Sequence, residues 1–168
     1  MGKRSDVKKD KLMRLLLEYL KDSNRSDKQI AKVLGVSQPT VSRMRSRLLE
    51  EGLVRHFSAI PDFAKMGYEI MAFSFVKFKL DHVKEIEEKA KEWTQYHPEI
   101  IFSSRAEGMG MDAITVSLHK NYAEYKNFVM ENKKWRKFLS EAHYILVDLG
   151  GAVAKPLSFK YLAEKQEK

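Results

Sequence analysis

The stretch from Asp27 to Leu48, DKQIAKVLGVSQPTVSRMRSRL, constrains this chain more than any other. Two helices that cross near a right angle need a small residue where their backbones approach and a glycine at the turn. They also need a branched apolar residue to lock the second helix. Ala31, Gly35 and Val41 stand at those three positions. Ile30, Leu34, Val36, Met44 and Leu48 recur at helical spacing and supply a buried face, with Leu53 placed to close the packing behind it. The flanking signals agree. Ser26 with Gln29 three residues on predicts a capping box, and Gly35 a left-handed stop. Ser37 predicts an N-cap with Pro39 tolerated in the first turn, and Gly52 a second stop. The pattern predicts a helix-turn-helix.

The residues left facing outward are Ser37, Gln38, Pro39, Ser42, Arg43, Ser46 and Arg47, with Thr40 and Arg45 at the edges. A recognition helix sets its first turns against base edges in the major groove. The forked ends of Arg43 and Gln38 match guanine and adenine edges. Thr40, Arg45, Arg47 and the later Arg55 are placed for phosphates, which fix register without reading sequence. Charge points to the same partner, double-stranded DNA. Of the formal +8, residues 1–60 carry 14 Lys and Arg against 7 Asp and Glu, whereas the remainder carries 17 against 16. A local basic excess suits a polyanion, because neutralised phosphates release counterions. The competing reading is a solvated arginine face.

Around this motif the periodicity predicts an opening helix from about Lys8 to Asp22, with Leu12, Leu15, Leu16 and Leu20 on one face. Leu53–Ile60 is β-prone and short and is read as a two-stranded wing, giving a winged helix-turn-helix over residues 1–60. Residues 61–67 read as a linker. From Tyr68 the rhythm becomes strand, helix, strand, strand, helix, strand. The strands are expected at about Glu69–Leu80, Ile100–Ala106, Asp112–His119 and His143–Leu149, and the helices at about His82–Tyr96 and Tyr122–Leu139. That order predicts an α+β chain whose second domain, residues 68–168, is a ferredoxin-like βαββαβ sandwich. Its last stretch, from Gly150 on, fits no pattern.

The first strand of the second domain carries two apolar faces. Ile70, Ala72, Val76, Phe78 and Leu80 alternate on one, interrupted by Ser74, and Met71, Phe73 and Phe75 stand on the other. Helices can cover only one face, so the second needs another cover. A second copy of the chain supplies it in one reading, which makes Met71, Phe73 and Phe75 a dimer interface. The N-terminal domain or the C-terminal tail supplies it in the other.

The chain has no cysteine, hence no disulfide and no thiolate metal site, which fits a reducing cytoplasm. No apolar run is long enough to span a membrane, and the basic N-terminus has no signal-peptide pattern. His56, His82, His97, His119 and His143 are scattered without metal-ligand spacing, and no nucleophile or phosphate-loop motif is present. No catalytic residue, metal or cofactor is expected.

The segment GVSQPTVSRMRSRLLEEGLVRHFSAIPDFAKMGYEIMAFSFVKFK, followed by the βαββαβ rhythm, resembles the Lrp/AsnC, or feast/famine, regulators from about Lys8 to Leu149. The resemblance implies a transcriptional regulator acting as a homodimer that associates into tetramers or octamers, and an effector such as an amino acid. It implies an effector site in the loop Gly108–Met109–Gly110–Met111–Asp112. There Asp112 is kept, the family's glycine is displaced and Met111 replaces its aromatic. Read from the residues alone, this glycine pair lets backbone amides approach a ligand beside a carboxylate, or simply forms a hairpin turn. Two other functions share the layout: an architectural DNA-binding protein with little sequence preference, and a haem-biosynthesis decarboxylase-like enzyme.

Overall fold

The computed structural model describes residues 2–79 and 83–166. By their internal contacts the residues form two units, Met1–Ile60 with Lys155–Lys168, and Pro61–Ala154.

The first unit is helical. α1 (Gly2–Lys21), α2 (Asp27–Leu34) and α3 (Gln38–Glu50) bury Leu12, Leu15, Tyr19, Ile30, Ala31, Val41, Met44 and Leu48 against one another. Each fully buried aliphatic side chain contributes about 1.5–3 kcal/mol relative to exposure. The Ser26 capping box forms in both directions, and Gly35 takes the left-handed conformation at φ 64°. Ser37 departs from expectation. Its hydroxyl meets Thr40 Oγ1 at 2.8 Å and leaves the helix N-terminus without a side-chain cap.

No strand forms over residues 53–60, so the expected wing is an irregular segment. LVRHFSAI contains no glycine or asparagine to reverse the chain between two strands. Two of its apolar residues are instead spent on the helices. Val54 and Phe57 pack on the core, and the Val54 N–H donates to the Leu48 carbonyl at 2.9 Å. Leu53, expected to close the packing, is 43% exposed, and its neighbour Val54 takes that role. The C-terminal α6 (Lys160–Gln166) groups with this unit through α1 and buries Ala163, rather than extending the second domain as expected. A helix with one small residue on its inner side can lie close against another helix.

The second unit is the expected βαββαβ sandwich, so the chain is α+β. β1 (Ile70–Phe78), β2 (Ile100–Gly108), β3 (Met111–His119) and β4 (Leu139–Asp148) form one antiparallel sheet in the order β2-β3-β1-β4. α4 (Val83–Gln95) and α5 (Tyr122–Glu131) follow β1 and β3. Asn121 caps α5, accepting from the Glu124 N–H at 2.9 Å. The helix expected to reach Leu139 tightens to a 3₁₀ turn at Asn132–Lys137. The cause is local: Asn132 Nδ2 donates to the Phe128 carbonyl at 2.7 Å and competes with the helical ladder. β4 therefore starts at Leu139, four residues before the expected position. Leu80 and His82, part of the expected first strand and helix, lie outside the described residues.

Candidate nucleic-acid interface

α3 presents the surface that the sequence singles out. With Val41, Met44 and Leu48 buried, a 3.6-residue helix turns Pro39, Ser42, Arg43 and Ser46 to the opposite side. Gln38 and Arg45 then stand on one flank, and Thr40 and Arg47 on the other. Ser37, Gln38, Pro39, Ser42, Arg43, Arg45 and Ser46 are exposed, and Thr40 and Arg47 are half-buried.

The three arginines differ in what they touch. The Arg47 guanidinium is paired with Glu51 one turn on, its Nε donating at 3.0 Å. The Arg45 guanidinium lies over the Phe57 ring at 4.6 Å and 5.7 Å from that of Tyr19. Those two rings meet edge to face at 5.0 Å, and burial raises the Tyr19 hydroxyl pKa, with Asp27 adding to the effect. Arg43 makes no such contact among the described residues. It is a desolvation-ready donor fork at the centre of the outward face. Ser46 donates to the Ser42 carbonyl at 3.4 Å. Arg55 is exposed on this irregular segment rather than on a hairpin.

Buried charge steadies the unit behind this surface. Glu18, nearly enclosed, accepts from Lys21 at 2.7 Å and from Arg25 at 2.5 Å, tying α1 to the turn that leads into α2.

The loop Gly108–Asp112 is a two-residue hairpin. Gly108 pairs with Met111, and Met109 and Gly110 between them take φ 51° and 72°. Both positive values are what a tight antiparallel reversal requires. Met109 is 80% exposed, Met111 is buried, and Asp112 Oδ2 accepts from the Phe78 N–H at 2.7 Å. Asp112 thus already fastens the end of β1.

Met71, Phe73 and Phe75 lie half-buried on the face of β1 opposite the buried Ala72 and Ser74. Register extends that face across the sheet. Phe102, Val116, Phe73 and Ile145 form one apolar row through all four strands, and Leu118, Met71 and Val147 a second. Phe102 and Ile145 are each more than half exposed.

The model of the ArsR family of bacterial regulatory proteins matches residues 10–56, from within α1 to just past α3. An uncharacterised HTH-type transcriptional regulator of Pyrococcus furiosus is 37% identical over 84 residues, 49% of this chain and 57% of that protein, so the match spans little more than half of the relative. Solved structures cover more. An AsnC family transcriptional regulator from Agrobacterium tumefaciens superposes with a TM-score of 0.66 at 21% identity, over 90% of this chain and 97% of that one. The chain has the Lrp/AsnC fold. A Neisseria meningitidis transcriptional regulator solved as a complex with L-Met superposes at 0.73 with 15% identity, again over 90% and 97%. The expected resemblance is borne out at the level of fold.

Within this Lrp/AsnC fold, three features of the basic surface escaped the sequence reading. Lys28 and Lys32 are exposed on α2, the helix that crosses the backbone in such motifs. Their spacing of four residues, on the side away from Ile30 and Ala31, was the available signal. The Arg47–Glu51 pair was likewise legible as an i,i+4 couple. The Phe57 platform under Arg45 was not, because it depends on how the segment after α3 returns to the helices. No described helix is long and apolar enough to cross a membrane.

Proposed function

We propose that this chain is a sequence-specific DNA-binding transcriptional regulator of the cytoplasm that acts as a homo-oligomer and not as an enzyme. The observation that carries the reading is Arg43. It is exposed at the centre of the outward face of α3, with no intramolecular partner among the described residues, between two arginines held by Glu51 and Phe57. Gln38, five residues nearer the helix N-terminus, is the second base reader. Ser37, Pro39, Ser42 and Ser46 line the approach, and Thr40, Arg45, Arg47 and Arg55 take phosphates. The fold of solved regulators and the helix-turn-helix match support the same reading.

Homodimers form through the outer face of the sheet, centred on Met71, Phe73 and Phe75. Its apolar rows, one through all four strands and one through β3, β1 and β4, support this, since a sheet face of that composition needs a cover. Dimers pair further into tetramers or octamers. An amino-acid effector binds at Gly108–Asp112. Its support is the pair of positive-φ turn residues, the carboxylate beside them, and the fact that a regulator of this fold is known bound to L-Met.

The experiment is selection of bound duplexes from a randomised DNA pool by the full chain. Enrichment of a palindromic motif supports the regulator. Retention without enrichment replaces it with an architectural DNA-binding protein.

A further inference from the structure

Between the sheet and its helices lies a cavity of about 450 Å³. Its floor is unusual for the inner face of a sandwich. Register places Ser103 opposite Thr115, Thr115 opposite Ser74, and Ser74 opposite Tyr144, so a row of four hydroxyl side chains crosses all four strands. All four line the cavity. The equivalent row on the outer face is Phe102, Val116, Phe73 and Ile145. The sheet is therefore inverted at its middle, polar toward the helices and apolar away from them. Small residues beside the row, Ala113 and Ala142, leave room that leucine or isoleucine would fill in a close-packed core.

The roof is aromatic. Trp93 of α4, Phe128 of α5 and Trp135 of the 3₁₀ turn line the cavity, with the Trp93 ring 5.6 Å from Trp135 and 6.0 Å from Phe128. Asn132 fixes Trp93, accepting from its indole N–H at 2.7 Å. The indole nitrogen of Trp135 is buried and has no hydrogen-bond partner. A buried donor left unpaired is costly and marks a place where an acceptor belongs. The charged residues of the lining, Arg136 and Glu141, are both exposed.

A space of this size lies within the range of small-molecule sites, which combine apolar walls with a few fixed polar groups. We infer that this cavity is a binding site for a small, uncharged aromatic molecule bearing a carbonyl or hydroxyl group. Its ring lies against Trp93, Trp135 and Phe128, and its oxygen meets the Trp135 N–H and the hydroxyl row. The site is separate from the Gly108–Asp112 hairpin, none of whose residues lines it. It does not depend on the DNA-binding reading, and its test uses no DNA.

The chain's two tryptophans both line the cavity, so their fluorescence reports on it directly. The full chain is titrated with phenol, indole, 4-hydroxybenzaldehyde and indole-3-carboxaldehyde, read by tryptophan emission and by calorimetry. The expected result is saturable binding of at least one carbonyl-bearing probe. Affinity should fall at least tenfold in Ala113→Leu, which fills the space. It should fall severalfold in Thr115→Val, which keeps shape and removes one hydroxyl. Thr115→Val serves as the reading if Ala113→Leu does not fold. Absence of saturable binding by all four probes up to millimolar concentration overturns the inference, and a raised Tm in Ala113→Leu would then mark a water-filled packing void. Binding of equal affinity in wild type and both variants also overturns it, by placing the probe elsewhere.

Discussion

The guanidinium of Arg45 rests 4.6 Å from the centre of the Phe57 ring, joining the outward side of α3 to the segment that leaves it. This contact replaces the hairpin wing as the brace of the helix-turn-helix. Phe57 also meets Tyr19 edge to face, and such ring pairs contribute about 0.5–1.5 kcal/mol beyond their burial. Phe57→Leu keeps apolar bulk and loses both ring contacts. Urea unfolding should show a loss of about 1–2 kcal/mol from these terms together. An unchanged midpoint would mean that the segment after α3 does not brace the unit.

A second pair sets a pH dependence. Ser117 Oγ and His119 Nε2 lie 2.8 Å apart inside the sheet, both fully buried, and His119 packs on Tyr125 and Phe128. Burial lowers the imidazole pKa below its ordinary 6.5, against the opposing charges of Glu124 and Glu99. The folded protein therefore holds this histidine neutral at pH values where the unfolded chain is already protonated. Stability is fully present above about pH 6.5 and falls as pH drops from there toward the depressed value. Denaturant unfolding between pH 7.5 and 5.5 should show this slope in wild type and a shallower one in His119→Gln. Parallel slopes would assign the acid sensitivity to other groups.

Asp112 decides between hairpin and effector. Its hydrogen bond to the Phe78 N–H, across 34 residues of sequence, is one to a charged group, and such bonds contribute about 1.5–3 kcal/mol. Asp112→Ala should lose that much stability without any ligand present. A thermal-shift screen of the twenty amino acids on both proteins separates the roles. Stabilisation of wild type alone supports an effector at this loop. No stabilisation of wild type removes amino-acid sensing, and equal stabilisation of both places the site elsewhere.

Much of this architecture was legible in the residues. Ser26, Gln29 and Gly35 carry their conformational roles locally, and Val41, Met44 and Leu48 declare a buried helical stripe by spacing alone. The alternation in β1 announced its two faces, and the second face does lie away from the buried one. What escaped depends on partners distant in sequence. Leu53–Ile60 has strand composition, yet strands need a neighbour to pair with, and the helical core claims Val54 and Phe57 first. The hydroxyl row exists only once Ser74, Ser103, Thr115 and Tyr144 are in register; each taken alone is an ordinary polar position in a strand. The docking of α6 rests on Ala163, which no pattern distinguishes from the other alanines.

The outer sheet face makes a plain prediction about assembly. Phe73→Asp with Phe75→Asp puts two carboxylates into the proposed dimer interface, where burying unpaired charge is prohibitive. Light scattering at micromolar concentration should show a stable oligomer for wild type and a monomer for the variant. A variant that remains oligomeric would locate the interface elsewhere.

On the proposed function, α3 reads DNA through Arg43. The direct measurement is the affinity of wild type, Arg43→Ala and Arg47→Ala for the selected duplex and its single base-pair variants, across a range of salt. Arg43→Ala should cost about 1–3 kcal/mol on the selected duplex and relax discrimination at one base pair. Arg47→Ala should weaken all duplexes alike and lower the salt slope by about 1. Arg43→Ala binding with wild-type affinity and unchanged base preference would mean that Arg43 reads no base.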